Sequence, residues 1–194
     1  MNLQALFDGL LAATAFYVAW GPSRSLPALR LGSLLLGSAA VLGTLRFSGL
    51  LPLPQLHQYV SMLGAGVSLP LLAIALTQPT SAVASQRRYT WIFAVIASVL
   101  CTLLVTVLQW KPWVSLCAIA AALSILGHGT MRKQLVEALA GLLMLLALVA
   151  FAAKLQAGGL NAGDILHIGL TFSLMLIGRC AVTARSANLN PHRR

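Results

Sequence analysis

Uninterrupted apolar runs of roughly 18–22 residues, separated by short turns rich in Gly and Pro, limit this chain more than any other feature. Runs of that length match a helix that crosses the hydrocarbon core of a bilayer. Strands of a membrane barrel alternate polar and apolar residues over about ten positions, and no such alternation occurs here. A soluble fold needs a polar shell, yet only 8% of the residues are charged, against roughly a quarter in soluble domains. The apolar residues must face lipid, where every spanning segment has to satisfy its own backbone. The fold class is therefore all-α, a polytopic transmembrane helical bundle.

Seven runs emerge, over positions 3–20, 28–45, 56–76, 89–108, 112–126, 135–153 and 162–182. Pro and Gly punctuate nearly every boundary, as at helix ends. Ten basic residues fall in the first, third and fifth connections and the tail: Arg24, Arg30, Arg87, Arg88, Arg132, Lys133, Arg179, Arg185, Arg193 and Arg194. Three, Arg46, Lys111 and Lys154, fall on the opposite side. The positive-inside rule then puts the odd connections and the C-terminus in the cytoplasm and the N-terminus outside. Trp20, Trp91, Trp110 and Trp113 lie near run ends, where belt residues sit.

One transmembrane domain is expected over 1–184, with a basic cytoplasmic tail over 185–194 lying near anionic lipid. The first run has no basic leader, and Asp8 interrupts it, so it reads as a retained helix. The net charge of +10 is spread singly and in pairs between runs, without aromatic interleaving, so nucleic acid is not an expected partner. Cys101, Cys117 and Cys180 fall inside apolar runs and read as small hydrophobes. No internal repeat of the kind found in inverted-repeat transporters is visible.

Ionisable residues inside spans are costly and mark function by default. They are Asp8, Arg46, His57, His128, Glu137, Asp164 and His167. The topology gives each a depth. Asp8, His57, Asp164 and His167 fall within two turns of an outer helix end, and Arg46 closes the second run on that side. Asp164, His167 and Thr171 share one face of the last helix, and His57, Ser61, Gly64 and Ser68 form a small, polar stripe on the third. Asp8, His57, Asp164 and His167 thus form a candidate metal or proton site, since His and Asp are good Zn²⁺ ligands and Zn²⁺ activates water. A structural reading competes, in which Arg46 pairs with one of the carboxylates. His57 and His167 also invite a bis-imidazole haem. At the other end, His128 and Glu137 suggest an ion pair.

The stretches Phe7-Asp8-Gly9-Leu10-Leu11 and Gly163-Asp164-Ile165-Leu166-His167, in a seven-helix chain with its N-terminus outside, resemble the ceramidase-like membrane hydrolase superfamily that includes the progestin and adiponectin receptors. The resemblance implies a Zn²⁺ site of three His with an Asp and a Ser nearby, and a bacterial inner membrane. This chain departs from that pattern: Thr44-Leu45-Arg46-Phe47-Ser48 holds no His, and Thr171 stands four residues after His167. The reading favoured by the residues is therefore a non-enzymatic membrane module or subunit with an outer-layer Asp/His cluster. A metal-assisted hydrolase acting on a lipid or amide is the alternative, and a haem protein the third. Lipid, and other membrane subunits, are the expected partners.

Overall fold

The computed structural model describes residues 2–22 and 26–189, with side chains as far as Thr183. Arg24 and the end of the tail, 190–194, lie outside the described residues. Among those described, seven helices are long and apolar enough to cross a membrane. They are α1 Leu3–Trp20, α2 Pro27–Phe47, α3 Pro54–Thr77, α4 Arg87–Val107, α5 Pro112–Met131, α6 Leu135–Ala152 and α7, which runs on beyond its apolar span to Leu189. A single helical turn, Ala82–Ser85, precedes α4. No strand is found among the described residues, only one isolated bridge between Ala157 and Leu160.

Local chemistry sets the helix ends. Pro27, Pro54 and Pro112 stand in the first turns of α2, α3 and α5, where a missing N–H costs nothing. Asn2 Oδ1 accepts from the Gln4 backbone at 3.1 Å, while Asn2 Nδ2 donates to the Phe47 carbonyl at 3.1 Å. One side chain thus caps α1 and ties its start to the end of α2.

The helices α1, α2, α3, α5, α6 and α7 contact one another in a closed circuit, α7 returning to α1. The helix α4 lies outside that circuit, against α2 and α3, and only 17% of its span is buried. Its Ile92, Val95, Ile96, Val99 and Leu103 face outward, as lipid-facing side chains do. The core runs through Leu11, Leu29, Leu71, Leu72, Ile125, Met144 and Leu174, all nearly or fully buried.

Two features depart from the sequence reading. The fifth helix continues through Gly127-His128-Gly129 to Met131, twenty residues in all, rather than ending at Leu126. The reason is close packing: Gly129 lies against the backbone of Glu137 and Ala138, so its missing side chain serves an interhelical contact and not a break. The second departure is a π-helical turn, Gly64–Ser68, inside α3. It coincides with Pro70, which has no N–H and whose ring crowds the carbonyl four residues back, so the widened turn relieves both.

The small stripe of α3 faces inward as expected. Ser68 is fully buried and donates to the Gly32 carbonyl at 2.6 Å, and Gly64 is buried against α2. The tightest approach is one residue pair further on. A Cβ on Gly66 would stand 2.7 Å from Cys101 Sγ, whereas one on Gly64 would meet Ala39 and Leu36 at ordinary distances of 3.7 and 3.9 Å. Gly66→Ala should therefore destabilise the bundle by about 1–3 kcal/mol, and Gly64→Ala by much less. Adding Cys101→Ala should restore most of the loss from Gly66→Ala, as measured by unfolding in mixed micelles. No restoration would place the damage elsewhere.

Candidate functional site

The start of α1, the end of α2 and the starts of α3 and α7 meet at one end of the bundle. Asp8 points inward from α1 and is 1% exposed. Its carboxylate fills the space left by the missing side chain of Gly43 on α2, where any Cβ would collide with it. Gly43 is thus part of the site, and sequence reasoning missed it.

His167 Nδ1 from α7 stands 3.1 Å from Asp8 Oδ1. The approach is that of an ion pair, but it is not aligned as a hydrogen bond: both carboxylate oxygens of Asp8 and Nδ1 of His167 remain without a hydrogen-bond partner among the described residues. Thr171, one turn on, donates to the His167 carbonyl at 2.7 Å and steadies that turn. His57 stands half-buried on α3 with its ring edge against Phe47, centroids 5.7 Å apart. Its Nδ1 is also buried without a partner.

These groups line two adjoining cavities. The inner one, about 100 Å³, is walled by Leu11, Leu36, Leu148, Leu166 and Leu170 and holds Asp8, His57, Ser61 and His167. The outer one, about 460 Å³, shares His57, Ser61, Leu166 and His167 and adds Gln4, Lys154 and Asn161. His57, Ser61, Leu166 and His167 therefore border both, with Asp8 reached only from the inner one.

Asp164 has a different role. Asn161 Oδ1 accepts from the backbone of Gly163 and Asp164 at 2.8 and 3.1 Å, and Asp164 Oδ2 accepts from the Asn161 backbone at 2.9 Å. This reciprocal arrangement is a capping box that starts α7. The Asn161-x-x-Asp164 spacing was the signal for it. Asp164 lines neither cavity. Arg46 forms no ion pair with Asp8 or Asp164, and its guanidinium lies 5.1 Å from the Phe47 ring centre. His167, not Arg46, is the group beside Asp8.

Among the described residues no three of His, Cys, Asp and Glu gather as a metal-ligand set. The four candidates divide into three that share a cavity and one that caps a helix, so no zinc-activated water is derived from them. A haem between His57 and His167 does not fit either. The cavity they share measures about 100 Å³, while pockets for ligands of ordinary drug size run about 300–1,000 Å³.

At the opposite end, His128 Nδ1 on α5 and Glu137 Oε1 on α6 are 2.7 Å apart, with Glu137 3% exposed. This is the ion pair expected of those residues, and it joins two helices.

Comparison with protein-family models, with curated proteins and with solved structures gave no match to this chain.

Proposed function

We propose that the protein is a seven-span module of a bacterial inner membrane that binds an amphiphile with a protonated amine head at the outer leaflet, without transforming it. The N-terminus is outside and the C-terminus cytoplasmic, on the strength of the ten-to-three division of basic residues. The observation that carries the binding role is Asp8, a buried carboxylate facing a cavity with both oxygens lacking a donor. A carboxylate offers about four acceptor positions, and leaving them unmet in an apolar site is costly. An ammonium group supplies both charge and N–H donors. The leucines around Asp8 suit the first carbons of an alkyl chain, and the larger cavity beyond His57 and His167 suits a path from the lipid–water boundary.

The test is equilibrium binding of dodecylamine to the protein in phosphatidylcholine nanodiscs. A hydrogen bond to a charged group contributes about 1.5–3 kcal/mol, so Asp8→Asn should weaken binding tenfold or more. Dodecane-1-sulfonate should not bind. Equal affinity of wild type and Asp8→Asn for the amine would overturn the reading. Metal analysis of the same preparation bears on the hydrolase alternative: a stoichiometric ion that His167→Ala removes would favour it.

A further inference from the structure

A second cavity of about 420 Å³ lies at the other end of the bundle, between the starts of α2 and α4. Arg30 and Arg87 line it together with Trp91, Leu31, Leu34 and Pro27. We infer that it binds the phosphate of an anionic lipid headgroup, the two guanidinium groups facing the phosphate and Trp91 and the leucines facing the upper acyl chain.

Charge supplies the first argument. The chain has three acidic residues. Asp8 and Asp164 belong to the opposite end, and Glu137 is paired with His128. Among the described residues neither Arg30 nor Arg87 has an ion-pair partner, so their counter-ion comes from outside the protein. Guanidinium groups match phosphate oxygens in pairs of parallel N–H bonds.

The backbone supplies the second. Pro27 and Arg87 are the first residues of α2 and α4, so two helix N-termini border the same cavity. Neither has a side-chain cap, and neither carries an acidic residue in its first turn. Free N–H groups and the positive end of the helix dipole favour an anion there. Thr90 is occupied, donating to the Val83 and Gln86 carbonyls at 2.7 and 3.1 Å, so it fixes the turn before α4 and leaves the arginines as ligands.

The form of the cavity supplies the third. Its wall is divided between basic and apolar side chains, with Trp91 half exposed on the outer face of α4. A soluble phosphate would use only the basic half. A lipid uses both, and basic pockets between helices are known sites for such headgroups.

The experiment is native mass spectrometry of the full chain released from micelles supplied with phosphatidylglycerol or phosphatidylcholine. The wild type should retain phosphatidylglycerol in preference to phosphatidylcholine. Arg30→Gln and Arg87→Gln should each weaken retention about fivefold, the double substitution about twenty-five-fold, at roughly a fivefold factor per basic residue. Arg88→Gln removes the same charge one residue away from the cavity lining and should change retention less than twofold, a control on net charge. Thermal unfolding of each variant verifies that it is folded. Equal retention by the double variant, or an equal effect of Arg88→Gln, overturns the site. Displacement of the lipid by inorganic phosphate at equal concentration assigns the arginines to a soluble anion and overturns the lipid reading.

Discussion

Gly141→Ala should weaken the bundle by about 3 kcal/mol, the upper end of the cost of overpacking. An added Cβ would stand 2.7 Å from Leu126 Cα and closer still to the Leu126 nitrogen. Backbone atoms in the middle of α5 cannot rotate aside as a side chain tip can. Either the two helices separate or one of them bends, and both lose contacts along the interface, since protein interiors are close-packed. Gly129 lies in the same seam, where a Cβ would meet Ala138 Cα at 2.8 Å, so Gly129→Ala should cost a similar amount. Gly127 is the control. It belongs to the same helix and has nothing within 4 Å of an added Cβ, so alanine should be tolerated. Unfolding in mixed micelles measures all three. Equal stability of Gly141→Ala and Gly127→Ala would show that the seam is looser than described.

His128→Ala should cost about as much through a different route. Removing one member of a buried ion pair leaves the other unmatched, at roughly 3 kcal/mol or more. Here Glu137, 3% exposed, would be left without its imidazole 2.7 Å away. Taking a proton would limit the loss, so the variant should gain stability relative to wild type as pH falls and the carboxyl becomes neutral. The double substitution His128→Leu with Glu137→Met should recover most of the loss, because an apolar pair of similar volume carries no desolvation cost. The measurement is again unfolding, over a range of pH. A double variant no more stable than His128→Ala would mean that the pair's shape, rather than its charge, holds α5 to α6.

Much of the architecture was legible because lipid imposes a length on every span. The runs found in the sequence correspond to the seven helices within a few residues, except where glycine was read as punctuation. Gly127 and Gly129 look like a helix end, but Gly129 in fact allows α6 to approach. The convergence of Asp8, His57 and His167 was legible from depth and helical phase together, since each lies near the same end and on a face with small or polar neighbours. Asp164 shares that depth and phase, and only the Asn161 three residues before it distinguishes a cap from a ligand. Gly43 and Gly66 were not legible as special, because close approach depends on which helices are neighbours, and periodicity within one helix does not specify that. For the same reason Arg46 was expected to pair with a carboxylate that the packing gives to His167.

The central claim, that the cavity above Asp8 opens to the outside and holds an amine, is tested most directly at Ser61, which borders both the inner and the outer chamber. In a chain with Cys101, Cys117 and Cys180 replaced by alanine, Ser61→Cys should react with a membrane-impermeant thiol reagent added outside intact cells. Dodecylamine should slow that reaction, and Asp8→Asn should abolish the protection. Reaction only from the cytoplasmic side, or a rate that dodecylamine leaves unchanged, would contradict the account.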